Sequence, residues 1–338
     1  MEIKVADIAK LRAMTGAGMM DCKKALTEAE GDFAKAQEII REKGKLVAAK
    51  RADRETSEGA VVAQCNADKT QAILVCLGCE TDFVANTAEF RTRAGKIAET
   101  ALNAFPADLE ALKGVEMDGL TINDAVLKQT GTTGEKHSLA FYAPLKAAYV
   151  GTYVHINHKV GTIVGFNKPV AEDLAKGIAM QITAMNPVAV DADSVPADVV
   201  KKEYDIAIEK TKEEQVQRAV DAALKKAGIN PAHVDSEDHI ESNTAKGWLT
   251  PAQAEQARQI IKTVGAEKAA NLPAAMIESI AKGRINKFFK EQTLTEQEYQ
   301  MADEKISVKD YIASQDKEAK VTGFFRFSLA DLFHRNSN

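Results

Sequence analysis

The middle of the chain repeats itself. No other feature constrains the fold as strongly, because two copies of one unit must bury their apolar faces in the same way. Gly59-Ala-Val-Val-Ala-Gln-Cys-Asn66 is matched by Gly151-Thr-Tyr-Val-His-Ile-Asn-His158. Each is a short β-rich run followed by a second one, Ala72-Ile-Leu-Val-Cys-Leu77 and Gly161-Thr-Ile-Val-Gly-Phe166. A helical pattern comes next in both, Ile97-Ala98 through Ala104-Phe105-Pro106 and Ile178-Ala179 through Ala184-Met185-Asn186-Pro187. The spacing predicts two β-β-α units, each a hairpin with a helix covering one sheet face. The copies differ where the second strand meets the helix. There the first copy carries an insertion around Cys79-Glu-Thr-Asp-Phe-Val-Ala-Asn86. Such a corner, added to a duplicated scaffold, is where function is expected.

The flanks are helical. Residues 3–43 read as three short helices: Ile3, Ile8 and Leu11 face inward on the first, and Thr15-Gly-Ala-Gly18 breaks it. Met19, Met20, Cys22, Ala25 and Leu26 mark the second, and Asp32 is placed to N-cap the third. Phe33, Ala36, Ile39 and Ile40 share a face of that third helix, with Gly44 expected just past its end. The run from Glu42 to Glu58 mixes both charges and suits a solvated helix or linker. Beyond Pro196 the pattern is again helical, with a break at Gly228-Ile-Asn-Pro231 and restarts at Thr250-Pro251 and Pro273. This predicts an antiparallel helical arm inserted in the second unit. Val308–Ala313 then reads as a short helix and Val321–Phe327 as a closing strand.

Composition narrows the function. Lys and Arg number 44 against 49 Asp and Glu, a net charge of −5, which argues against binding through nucleic-acid phosphates. No apolar run approaches a membrane span, and the start has neither a signal peptide's apolar core nor a transit peptide's character, so a cytoplasmic protein is expected. The 4 cysteines fit a reducing compartment. Cys76-Leu-Gly-Cys79 has redox or zinc spacing, but no second pair or nearby histidine completes it, and regular strand geometry would point the two thiols to opposite faces. His233 and His239 with Asp235 or Asp238 form the other conceivable zinc set. No hydrolase, metalloprotease or P-loop motif occurs, and no nucleophile–base pair stands out. At the inserted corner Asp82 and Phe83 sit on a connector, with Asn86 expected to cap the next helix and Glu89 at its third position. Phe83 either packs under its own loop, with Asp82 a turn residue, or stands out to engage a partner. On these residues alone, a thiol oxidoreductase using Cys76 and Cys79, a small-molecule transferase and a non-enzymatic adaptor all stay open.

Four strings, in order, carry a resemblance. Leu11-Arg-Ala-Met-Thr-Gly-Ala-Gly-Met-Met-Asp-Cys-Lys-Lys-Ala-Leu26 resembles the N-terminal signature of the translation elongation factor Ts family. Cys79-Glu-Thr-Asp-Phe-Val-Ala85 is similar to its second signature, and Tyr153-Val-His155 with Lys159-Val-Gly161 to its third. Val321-Thr-Gly-Phe-Phe-Arg-Phe327 resembles its closing strand. The resemblance implies an α+β fold with an N-terminal three-helix, ubiquitin-associated-like bundle, duplicated β-β-α core subdomains and an inserted antiparallel coiled-coil arm. The expected divisions are 1–45 for the bundle, 46–57 for a linker and 58–140 for the first core subdomain. The second would span 141–200 with 284–338, and the arm 201–283. It implies guanine-nucleotide exchange on the GTPase elongation factor Tu, GDP-bound and then nucleotide-free, with no catalytic residue, no cofactor, no metal, no direct nucleic-acid contact and no membrane. Thr81, Asp82, Phe83 and Val84 would enter the GTPase near its Mg²⁺. Arg12, Met19 and Met20 would dock on its nucleotide-binding domain, and His155 would stand beside the phosphate-binding region. A ubiquitin-associated-like adaptor is the rival reading of the bundle. The arm from about Lys212 to Ala270, with the chain's 1 tryptophan, Trp248, is longer than a compact arm needs.

Overall fold

In the computed structural model, which describes residues 3–332, helix α1 (Val5–Thr15) stops where Gly16 turns left-handed at φ 73. After α2 (Met19–Glu28), Asp32 caps α3 (Phe33–Lys50), its carboxylate accepting hydrogen bonds from the N–H groups of Ala34 and Lys35. The three apolar faces close on Ile8, Leu11, Cys22, Ala25, Leu26 and Ala36.

The first hairpin is β1 (Glu58–Cys65) with β2 (Gln71–Cys79), antiparallel. A single helical turn, α4 (Asp82–Ala85), precedes α5 (Ala88–Ala104). Then α6 (Leu109–Lys113), a minimal ribbon of β3 (Glu116–Met117) and β4 (Leu120–Thr121), and α7 (Ile122–Thr133) lead to β5 (His137–Lys146). The second copy opens with β6 (Tyr149–Val154), β7 (Val160–Phe166) and α8 (Glu172–Met185). After α9 (Ala197–Lys226), α10 (Glu237–Ala245), α11 (Pro251–Ala270) and α12 (Ala274–Gln292), the chain returns through α13 (Val308–Gln315) and ends its second sheet with β8 (Val321–Ser328). The fold is α+β, with sheet orders β1-β2-β5, β3-β4 and β6-β7-β8, antiparallel throughout.

The duplication goes further than a β-β-α pattern. In each copy a third strand returns after the helix to pair with the second, β5 with β2 and β8 with β7. The register shifts once in each of these pairings, between Cys76 and Leu77 in one and between Gly165 and Phe166 in the other. Both helices end in a left-handed residue other than glycine, Phe105 (φ 44, ψ 54) and Asn186 (φ 45, ψ 56), each followed by proline. The alignment of Gly59 with Gly151 is corrected by the hairpins. Their last pairs are Cys65↔Ala72 and Val154↔Gly161, so Cys65 corresponds to Val154 and the first strand slides by an odd number of residues. Because side chains alternate in a strand, an odd slide reverses which of them face the core.

Both faces of each hairpin's second strand are covered. Val61, Ala72, Leu74 and Cys76 of the first sheet pack with Val150, Ile163 and Phe327 of the second, and Phe141 stacks on Phe327 with ring centroids 4.5 Å apart. On its other face the first sheet offers Ile73, Val75 and Leu77 to Phe90, Ala94, Ile97 and Ala101 of α5. This two-sided burial is why β2 and β7 read as nearly unbroken apolar runs, not as alternating strands.

Gly44 does not end the third helix, as its position suggested. α3 runs on to Lys50, and Gly44 lies buried where α3 crosses α7. A Cβ built on Gly131 of α7 would stand 2.6 Å from the Gly44 Cα, so the two backbones touch at this point. Lys128 of α7 adds a hydrogen bond to the Met14 carbonyl at 3.3 Å.

By internal contacts the chain divides into Met1–Val190 with Glu298–Asn338, and Asp191–Gln297. Within the second unit the 30-residue α9 carries two packing seams. Tyr204, Ala207 and Ile208 meet Ala281, Ile285 and Phe289 of α12. Val220 and Leu224 meet Ala254 and Ala257 of α11, together with Ile229, Val234, Ile240 and Leu249 from the intervening segment. Thr250 caps α11 with Pro251 at the first helical position, as expected, and Gln253 completes a reciprocal capping box with Thr250.

Candidate functional site

The inserted corner of the first copy is the turn α4 and the residues that hold it. Thr81 caps it, its hydroxyl oxygen accepting from the Val84 N–H at 3.4 Å, while the same hydroxyl and the Thr81 N–H donate to the Glu135 carboxylate at 2.7 and 3.1 Å. Ala85 is buried and Val84 packs on the core of the first sheet. The next helix is capped by Thr87, not Asn86: the Thr87 hydroxyl accepts from Phe90 N–H, placing Phe90 at the third position and turning it into the core. Asn86 instead accepts a hydrogen bond from Arg91 at 2.8 Å. With Val84, Ala85 and Phe90 committed inward, Phe83 has nowhere to go but out. Its side chain is 84% exposed, so it does not pack under its own loop. Full burial of a phenylalanine is worth about 1.5–3 kcal/mol, which this residue leaves unrealised in the free chain.

Glu80, next to Thr81, accepts from Arg51 Nη1 at 2.8 and 2.9 Å and from the Lys136 N–H at 2.6 Å. His137 is buried against Phe90, with ring centroids 5.6 Å apart and its Nδ1 3.0 Å from the Glu135 carbonyl oxygen; burial pushes its pKa below the ordinary value. Glu135 and Arg51 escape sequence reading, because 54 and 29 residues separate them from Thr81 and Glu80 and only the fold brings them back.

The other expected site residues lie on separate elements. Arg12 is exposed on α1, and Met19 and Met20, 40% and 65% exposed, open α2 on the other side of the glycine break. His155 is exposed on the β6–β7 turn, its Nδ1 3.1 Å from the Tyr153 hydroxyl. Its neighbour Ile156, 86% exposed at the hairpin tip, is a group the sequence reading missed; a branched apolar residue before Asn157 in a turn is the signal that marks it.

The family model for elongation factor Ts matches residues 80–331, beginning at the residue that anchors this corner. Elongation factor Ts of Bacteroides thetaiotaomicron is 53% identical over 330 residues, covering 97% of this chain and 99% of that one. The chain belongs to the elongation factor Ts family. The protein of Phocaeicola vulgatus is 52% identical over 330 residues, with the same coverage of each chain. That of Flavobacterium psychrophilum is 37% identical over 329 residues, 97% of this chain and 98% of its own. The match to these relatives therefore extends through the long helical stretch after Pro196, and membership makes this an elongation factor of protein biosynthesis.

The enzymatic alternatives find little chemistry at the residues they call on. Cys76 lies in the core shared by the two sheets and Cys79 in the core under α5, on opposite faces, and both are buried. Burial pushes the Cys76 thiol far up, and burial with the Glu135 charge pushes Cys79 up to about 12, so neither supplies a thiolate near neutral pH. His239 pairs with Asp235, while the His233 ring lies tilted against Trp248, with centroids 5.5 Å apart. Among the described residues no group of three or more His, Cys, Asp or Glu is arranged to hold a metal ion, and no helix is long and apolar enough to cross a membrane. Serine at both Cys76 and Cys79 should cost about 1–3 kcal/mol in urea unfolding, from the hydroxyl placed in apolar surroundings at position 76, since position 79 offers the Thr81 carbonyl as an acceptor. The same variant should keep any effect on a partner's nucleotide within about threefold of wild type, as burial leaves both thiols without reactivity.

Proposed function

We propose that this chain binds elongation factor Tu in its GDP-bound form and speeds GDP release, so that GTP can enter, as a cytoplasmic exchange factor with no bond-making step of its own. The observation that carries the reading is Phe83, a large apolar side chain held 84% exposed on an anchored turn. A GTPase holds its nucleotide through phosphate-cradling amides, a lysine and Mg²⁺ that bridges phosphate oxygens. Phe83, entering between partner helices with Thr81, Asp82 and Val84, displaces the elements that position the Mg²⁺ shell and weakens the hold on GDP. Arg12, Met19 and Met20 dock on the nucleotide-binding domain, and His155 reaches the phosphate-binding region.

Linkage requires the factor to bind the nucleotide-free GTPase more tightly than the GDP form by the factor through which it weakens GDP. A 10⁴-fold acceleration corresponds to about 5.5 kcal/mol of stabilisation in the release transition state. Burial of Phe83 supplies about 1.5–3 kcal/mol, and a few further anchors such as the exposed methionines supply the rest. No direct nucleic-acid contact is part of this reading, in keeping with a net charge of −5. The test is stopped-flow release of a fluorescent GDP analogue from elongation factor Tu. Release accelerated by several orders of magnitude is expected; an unchanged rate overturns the reading and favours a simple adaptor.

A further inference from the structure

A four-residue turn cannot hold itself, because one helical turn orders several residues for a single hydrogen bond. The order of α4 comes from its neighbours, on two sides. On one, Glu135 receives two hydrogen bonds from Thr81. On the other, Glu80 receives Arg51, which lies at the end of α3, and the Lys136 N–H. The Lys136 ammonium returns to the Ala52 and Arg54 carbonyls at 2.6 and 2.8 Å, and the Ser57 hydroxyl donates to the Glu80 carbonyl at 3.4 Å. The segment leaving α3 is thus stitched to the residue that enters α4.

We propose that Arg51 is a positioning residue for the exchange segment: through Glu80 it ties the end of α3 to the turn that carries Phe83, and so fixes where Phe83 stands. The inference rests on the exchange reading given above. Arg51 and Glu80 are 36% and 15% exposed, sheltered enough for charge-assisted hydrogen bonds to hold a geometry. The i,i+3 pair Arg41–Glu38 on the same helix is 57% and 55% exposed and joins nothing distant. Burial works against the Glu80 charge, but the Lys136 N–H and the Arg51 guanidinium outweigh it and keep the carboxyl below the usual range. A loosened turn spends less time with Phe83 in the productive position, so the loss falls on the maximal rate, not on affinity.

The test compares full-length wild type, Arg51→Ala and Arg51→Lys by two readouts. The first is amide hydrogen exchange of residues 81–86 in the free protein, which needs no partner. Arg51→Ala should exchange there about tenfold faster, with the rest of the core unchanged and Arg51→Lys close to wild type. The second is release of the GDP analogue at rising factor concentration. Its maximal rate should fall about tenfold in Arg51→Ala, with the half-saturating concentration within about twofold and most of the rate restored by lysine. Unchanged exchange at residues 81–86 overturns the proposal. So does a raised half-saturating concentration at an unchanged maximal rate, which would make Arg51 a contact of the partner. Protection lost across the whole core also overturns it, by making the role structural. Wild-type protein that fails to speed release sinks the exchange reading alone, and hydrogen exchange then decides the clamp by itself.

Discussion

Replacing Phe83 with alanine is expected to lower the maximal acceleration of GDP release from elongation factor Tu by about 10- to 100-fold, which corresponds to about 1.4–2.7 kcal/mol of lost transition-state stabilisation. The magnitude follows from the apolar surface a phenylalanine buries when it enters a partner's core. The stability of the free protein should barely change, by less than about 0.5 kcal/mol, because a side chain 84% exposed takes little part in its own fold. Phe83→Leu, which keeps much of the apolar volume, should retain more of the rate than Phe83→Ala. Stopped-flow release at saturating factor, beside a urea titration of each free variant, measures both effects. Wild-type acceleration in Phe83→Ala removes the wedge from the mechanism. A large loss of stability would mean that Phe83 packs inward after all.

The second large effect is on the fold, and it has opposite signs at two glycines in one helix crossing. In Gly131→Ala the new Cβ would stand 2.6 Å from the Gly44 Cα, a backbone atom that cannot turn aside, so α3 and α7 must separate. Overpacking of this kind costs about 1–3 kcal/mol, and the midpoint of urea unfolding should fall accordingly. In Gly44→Ala the new Cβ meets its nearest atom, the Gly131 Cα, at 3.6 Å, an ordinary contact. Alanine is also about 1 kcal/mol better than glycine inside a helix, so this variant should be neutral or more stable. Equal destabilisation by both substitutions would contradict the close approach. Because Arg51 directly follows α3 and Glu135 lies just beyond α7, both holds on the turn α4 come from the helices that meet at this crossing.

Much of the molecule is legible where the signal is local. Asp32 caps the third helix as its spacing predicts, Thr250 and Pro251 start α11, and left-handed Phe105 and Asn186 followed by proline end both repeat helices. Local chemistry misleads where a distant element intervenes. Gly44 has the look of a helix end, yet it is a contact point inside α3, because α7 crosses there with Gly131 so close that a Cβ on Gly131 would meet the Gly44 backbone. Asn86 and Thr87 are both good caps; the core's demand for Phe90 at the third position selects Thr87. The strand β5, with Pro144 and few purely apolar stretches, escapes pattern reading, and only its pairing with β2 reveals that each copy owns a third strand.

The sequence by itself determined the α+β class and the family, and it drew attention to the corner that carries Thr81-Asp-Phe-Val84, since all of these are written in residue order and spacing. Only the tertiary structure decided the register of the repeats, the joining of the two sheets into one shared core and the outward stand of Phe83. It also decided which distant residues, Glu135 and Arg51, hold that phenylalanine in place. The reason is physical: periodicity reports which face of an element is apolar, whereas what covers that face depends on contacts between residues far apart in the chain. Phe83 is as apolar as Phe90 and sits seven positions away, and nothing in its own chemistry separates the two. One is buried and the other exposed because α5 and the first sheet use up the available core, leaving the shorter turn to face whatever binds it.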